Sequence, residues 1–209
     1  MILYAATSNP GKLAEFATSA STAGVDVLAL PNLKQIPEPI EDASTFQGNA
    51  DLKAIAYSLA APNLLVFADD SGLEVPALNN QPGVRSARFA DDHDFESNSA
   101  LTPVAASKDQ RNNALLLHLM EHQPSRAARF VCSLALARDG HVLLHAQGSV
   151  EGQLLDHPRG SDGFGYDPLF LIPALNLTFA ELPREQKWEF SHRGKAFRAL
   201  LTQLAATQQ

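Results

Sequence analysis

The sequence is poor in cysteine, in positive charge and in long apolar runs, and each shortage removes a class of protein. Its single cysteine, Cys132, rules out an internal disulfide and a cysteine-rich zinc site. Cys132 sits in an apolar run and is expected to be a buried, inert thiol. Lys and Arg number 16 against 23 Asp and Glu, giving a formal charge of −7. That balance argues against a nucleic-acid partner, while a small anionic substrate is still acceptable if cations cluster locally or a metal is bound. No apolar stretch approaches the length that spans a bilayer, so no membrane partner is expected. The opening MILYAATSNPGK has no basic segment leading into a long apolar run, and a cytoplasmic location is expected.

What remains is an ordinary globular balance: 209 residues, 45% hydrophobic and 19% charged. That length suits one large domain or two intimate lobes. Ile2 to Ala6 reads as a buried strand ending at a polar turn. A helix follows with Leu13, Phe16, Ala17 and Ala20 on one face and Gly24 closing it. Val25 to Leu30 reads as a second strand, and the proline-rich PNLKQIPEPIEDAS as a surface loop. From Thr45 to Ala61 the pattern is helical, with Leu52, Ile55, Ala56 and Leu59 as the expected core stripe. Asn49 and Lys53 share a different face. LLVFA is then a strand running into an acidic turn, DDSG. This alternation predicts an α/β sheet with ligands at strand ends.

Further on, DDHDFESNSALTPVAASKDQ is expected to be an exposed loop. Asn113, Leu116, Leu117 and Met120 predict a short helix. ARFVCSLALAR, Asp139-Gly140 and HVLLHAQ predict a β-hairpin, because Asp-Gly suits a tight turn with positive φ at both positions. Ser191 is placed to cap a last helix with Phe197, Leu200, Leu201 and Leu204 on its core face. There is no internal repeat and no low-complexity tract.

Four polar segments interrupt these elements, and each has two readings. Thr7, Ser8, Asn9, Pro10, Gly11 and Lys12 lie between a strand and a helix. Free N–H groups there suit a phosphate, with Lys12 adding charge; the alternative is an ordinary capped turn. A nucleotide-kinase P-loop is a worse fit, since the spaced first glycine is missing and Leu13 stands where a metal-binding hydroxyl is needed. Asp69 and Asp70 at the end of a buried strand would repel unless cations or donors offset them; they are metal ligands or an Asx turn. GSDGFGYDP, residues 160 to 168, is either a base-stacking loop or a plain glycine-rich loop with its aromatics in the core. FSHRGK, residues 190 to 195, with Lys187 before it, is either a phosphate or base contact or a solvated helix face.

In order, ATSNPGKLAEF, EDASTFQGNADLKA, FADDSGLEV, PGVRSARFA, GFGYDPLF and EQKWEFSHRGKA resemble the inosine triphosphate pyrophosphatase family nearly end to end. The resemblance implies an elongated α/β structure: a mixed central sheet with flanking helices, and two lobes of a single domain around a nucleotide cleft. It implies a Mg²⁺-dependent hydrolase that converts ITP, dITP and XTP to the monophosphate and pyrophosphate, and a homodimer. Thr7 to Lys12 would wrap the triphosphate, with Asn9 and Lys12 making the main side-chain contacts. Glu41 and Asp70 match the family's metal and catalytic positions, with Asp69 assisting through a water. Lys53 would face the phosphates and Ser71 would contact substrate near the metal. Phe164, Gly165, Tyr166 and Asp167 would hold base and sugar, Phe164 by stacking. Lys187, His192 and Arg193 would complete the contacts. Against the family's habits, Ser8 replaces Gly and must avoid a positive φ. Gly48 stands where Glu is frequent, and Asn79-Asn80 replace a Gly-Gly pair and must accept left-handed backbone. The competing readings are a non-catalytic nucleotide-binding protein and a pyrophosphohydrolase for another modified nucleotide.

Overall fold

A computed structural model describes residues 1–20, 24–95 and 106–207. In chain order the elements are β1 (Ile2–Ala5), α1 (Pro10–Ala20), β2 (Asp26–Ala29), α2 (Phe46–Ala60), β3 (Val66–Val75), β4 (Gln81–Pro82), α3 (Phe89–Asp92) and α4 (Lys108–Met120). There follow β5 (Ala127–Arg138), β6 (His141–Leu154), β7 (Phe170–Ile172), β8 (Leu177–Thr178), α5 (Arg184–Phe190) and α6 (His192–Ala206). This is the mixed sheet with flanking helices that the sequence indicated. The chain divides into two compact units: Met1–Ser71, Val131–Ser149 and Trp188–Gln209 form unit 1, and Gly72–Phe130 with Val150–Lys187 form unit 2.

In unit 1 the strand order is β2-β1-β3-β5-β6. β1 pairs in parallel with β2 and with β3. Alternation along β3 builds two layers, because successive side chains leave opposite faces of a sheet. Phe67 packs with Phe16 of α1 and Phe197 of α6, the three ring centroids lying 5.1–5.4 Å apart. Val66 and Ala68 pack on the other side with Ala50, Ala54 and Tyr57 of α2. Cys132 lies in the first layer, fully buried, and burial pushes its thiol pKa upward, so it is the inert core residue expected.

The buried face of α2 corrects the reading of its sequence. Leu52 and Leu59 are 37% and 61% exposed, while Asn49, Ala50, Ala54, Tyr57 and Ser58 are buried. Small alanines bring α2 close to Ala135 and Ala137 of β5, and the polar side chains on the same face find partners described below. Hydrophobicity alone favours Leu52 and Leu59 for the core, and the close approach that small alanines allow overrides it. Thr45 caps this helix by accepting from Gly48 N–H at 3.1 Å.

Unit 2 places β4 against β3 and continues through β6, β7 and β8, all antiparallel. Its core joins Phe130, Phe170 and Phe179 to Leu116 and Met120 of α4. Helix α4 starts earlier than the apolar pattern indicated, at a capping box between Ser107 and Gln110. The expected loop after Phe89 begins instead with α3, and residues 96–105 lie outside the described residues, as do residues 21–23 before Gly24.

Several local expectations hold. Asp139 and Gly140 have φ of 52° and 80°, the tight hairpin turn that links β5 to β6. Ser191 accepts from Gly194 N–H at 3.0 Å and caps α6. Asn79 and Asn80 take φ of 55° and 64°, while Ser8 is not among the residues of positive φ. No helix among the described residues is long and apolar enough to cross a membrane.

Candidate active site

The acidic pair lies within β3, not in a turn, and that placement removes the conflict between the two carboxylates. Strand alternation sends Asp69 to the α1 and α6 side and Asp70 to the α2 side. Each is buried and each meets cations. The apolar run stops at Ala68, but the backbone continues as strand because the acids are satisfied on both faces.

On the first face, Lys12 Nζ donates to Asp69 Oδ2 at 2.7 Å. Arg193 approaches the same carboxylate at 3.9 Å and donates to Ser71 Oγ at 3.0 Å. It also lies 3.7 Å from Glu15. Burial pushes the Asp69 pKa upward, but Lys12, Arg193 and Lys53 outweigh it and hold the carboxyl at about 2. Asp69 is a fixed anion. Arg193 and His192 are buried at the start of α6, so the solvated-face reading of this segment is wrong.

The second face gathers Glu41, Asn49, Lys53 and Asp70. Lys53 Nζ lies 3.0 Å from Glu41 Oε2 and 3.3 Å from Asp70 Oδ1. Asn49 Nδ2 donates to Asp70 Oδ2 at 3.1 Å, and its Oδ1 accepts from Ala43 N–H at 3.0 Å. Asn49 therefore ties the Glu41 segment to the helix, a role its i, i+4 spacing from Lys53 foreshadowed but the sequence reading did not assign. Gly48 permits the same approach: a Cβ there would stand 2.7 Å from that of Ala43. Burial raises the Asp70 pKa, with Lys53 and Asn49 opposing the rise. Burial lowers the pKa of Lys53, but Asp70, Asp69 and Glu41 outweigh it and raise the net value. Neighbouring carboxylates thus carry opposite shifts, one locked ionised and one made more basic, as acid–base sites require.

The Thr7 to Lys12 segment is a capped turn in its local structure. Asn9 Oδ1 accepts from Gly11 and Lys12 N–H at 2.8 and 3.2 Å, and Pro10 starts the helix where no N–H is needed. Thr7, Ser8, Asn9 and Pro10 line a cavity of about 450 Å³ in unit 1, together with Leu33 and Lys34.

In unit 2, Gly163 to Asp167 form a tight loop in which Gly163 and Gly165 have φ of 80° and 62°. Asp167 accepts from Phe164 N–H at 2.9 Å and from Lys187 Nζ at 2.7 Å. The Lys187 ammonium also lies 5.0 Å from the Phe164 ring centroid, a cation–π distance. Tyr166 turns into the core and donates to the Ser86 carbonyl at 2.9 Å. The core reading of this loop therefore holds for Tyr166, which is buried.

Two hard carboxylates, Glu41 and Asp70, converge closely enough to share one ammonium. Among the described residues no three His, Cys, Asp or Glu side chains form a ready-made metal cage. Such a donor set suits a hard divalent ion that takes its other ligands from water and substrate phosphates.

The model of the Ham1 family matches residues 3–203. A dITP/XTP pyrophosphatase of Acidobacterium capsulatum is 49% identical over 204 residues, covering 98% of each chain. Among solved structures, the Staphylococcus aureus Ham1 protein superposes with a TM-score of 0.80 at 35% identity, over 99% of this chain and 100% of that one. A HAM1 protein from Coxiella burnetii gives a TM-score of 0.81 at 33% identity, over 99% of both chains.

Proposed function

The chain belongs to the Ham1 family, and from that premise and the site geometry we propose that it hydrolyses ITP, dITP and XTP to the monophosphate and pyrophosphate. The observation that carries this reading is the convergence of Glu41 and Asp70 on Lys53 beside a fixed Lys12–Asp69 pair. Such a set combines oxygen ligands, a base and cations for phosphate charge.

In this proposal Thr7 to Lys12 receive the triphosphate. The cap uses the carbonyl half of the Asn9 carboxamide, which leaves its NH₂ half to donate to phosphate oxygen. Lys12 and Lys53 offset the charge that builds on the phosphate oxygens. Glu41 and Asp70 would hold Mg²⁺, which when bound supplies charge neutralisation and a more acidic water. Asp70, facing the same space as Lys53, takes the proton of the water that attacks the α-phosphorus, and pyrophosphate departs. Asp69 fixes Lys12 and, with Ser71, orders Arg193. His192 lies beside that arginine in sequence and is assigned with it to the substrate end of α6.

The base is assigned to the loop of unit 2, with Phe164 stacking, Gly165 and Asp167 shaping the loop, and Tyr166 anchoring it. Asp167 engages Lys187, which is assigned to the 6-carbonyl of the base. Adenine offers an amino donor there instead. A buried donor left unmatched costs about 1–3 kcal/mol, roughly tenfold to a hundredfold in discrimination. A single two-lobed domain holding the nucleotide in a cleft, a homodimeric assembly and a cytoplasmic location belong to the same proposal. The test is product analysis: ITP with Mg²⁺ yields inosine monophosphate and pyrophosphate. Release of orthophosphate instead would sink attack at the α-phosphorus.

A further inference from the structure

Helix α4 grips the glycine loop at both ends of one residue. Asp109 Oδ2 accepts from Gly165 N–H at 2.7 Å. One turn later, Asn113 Nδ2 donates to the Gly165 carbonyl at 3.0 Å. The i, i+4 spacing puts both side chains on one face of the helix, so a rigid element holds the N–H and the C=O of a single residue. The helix is itself fastened to the same region. Asn112 accepts from Ala90 N–H at 2.8 Å and donates to the Ser86 carbonyl at 3.3 Å, the carbonyl that also receives Tyr166.

Gly165 sits between Phe164 and Tyr166 with φ of 62°, and a Cβ there would meet nothing within 4 Å. No packing at the Cβ position constrains this residue, and the two hydrogen bonds fasten both of its backbone polar groups. Asn113 presents its NH₂ to Gly165 although its own Oδ1 is buried without a hydrogen-bond partner among the described residues.

We propose that Asp109 and Asn113 are positioning residues for nucleotide recognition: they clamp Gly165 so that the Phe164 ring is presented in one orientation. The inference rests on the reading that Phe164 contacts the base. Releasing the clamp lets the loop sample other shapes, and apparent affinity then falls in proportion to the competent fraction. The catalytic acids and lysines are untouched, so KM rises while kcat holds.

The polarity of the clamp supplies the test. Asn at 109 still offers an oxygen to the Gly165 N–H, so Asp109→Asn should keep KM for ITP within about twofold, whereas Asp109→Ala raises it by about tenfold. Asn113→Asp keeps the shape but puts a carboxylate against a carbonyl, so it should raise KM at least as much as Asn113→Ala. In each case kcat should stay within about twofold. Thermal unfolding of every variant is followed alongside, and hydrogen exchange at the Gly165 amide should accelerate in Asp109→Ala. Phe164→Ala separates the two layers of the argument. If it raises KM while Asp109→Ala and Asn113→Asp do not, the clamp is refuted and base contact by Phe164 stands. If Phe164→Ala leaves KM unchanged while exchange at Gly165 accelerates in Asp109→Ala, the base reading fails and takes the recognition role of the clamp with it.

Discussion

The pairing of Lys12 with Asp69 makes a prediction about acid stability whose size can be worked out. The folded-state carboxyl is held at about 2 against an ordinary 3.8. At ~1.36 kcal/mol per pH unit, the ionised, paired form contributes about 2 kcal/mol to folding. Because the folded pKa is depressed, this contribution is complete above about pH 4 and is lost as pH falls through about 2. Asp69→Asn removes it at every pH. Urea unfolding of the metal-free protein, measured at steps from pH 7 to pH 3, should show the variant about 2 kcal/mol less stable at neutrality. The gap should hold to about pH 4.5 and narrow below that. Lys12→Met in the same background should recover part of the loss, since the partner cation no longer lacks its anion, with a coupling of about 1 kcal/mol or more. A gap that stays constant down to pH 3, or two substitutions whose effects simply add, would refute the reasoning.

Asp70 is predicted to behave in the opposite sense. Its pKa is raised by burial, so ionisation there costs stability at neutral pH, and the cost is relieved as pH falls through the raised value. Asp70→Asn should therefore abolish pyrophosphate release, by about a thousandfold or more, yet unfold no earlier than the parent in a thermal melt. Chelation of divalent ions should stop turnover without changing the far-ultraviolet circular dichroism, because among the described residues no protein-only cage depends on a metal for folding. Gly165→Ala should lower stability by about 1 kcal/mol through its positive φ alone, while Gly163→Ala should cost more, since its Cβ would collide with the Asp167 carboxylate.

Elements governed by local chemistry were legible in the chain: the Asp139-Gly140 turn and the Ser191 cap follow from what those residues do alone, and the left-handed Asn79-Asn80 from the Gly-Gly pair they replace in the family the chain resembles. The buried face of α2 was not, because a helix that serves a site inverts the usual pattern. Asn49 and Lys53 are drawn inward by carboxylates, small alanines let the helix approach, and Leu52 and Leu59 are left outside. The end of β3 was misread for a related reason: acids mark a turn only where nothing neutralises them, and here Lys12 lies 57 positions away in the chain. Glu41, Lys53 and Asp70 were named from resemblance, and the fold brings them together. The parts played by Asn49, Asp109 and Asn113 depend on contacts across the fold that spacing does not encode.

Because β3 delivers one carboxylate to each side of the sheet, its two chemistries are tied to the parity of a single stretch of backbone. Adding or deleting one residue between Val66 and Asp69 would trade the carboxylates between layers, giving the helix-facing lysine the wrong acid and stranding its neighbour. Length changes should therefore be harmless in the surface connections but ruinous within this short run, where even a perfectly hydrophobic insertion exchanges the partner of Lys12 for the acid that faces Asn49 and Lys53.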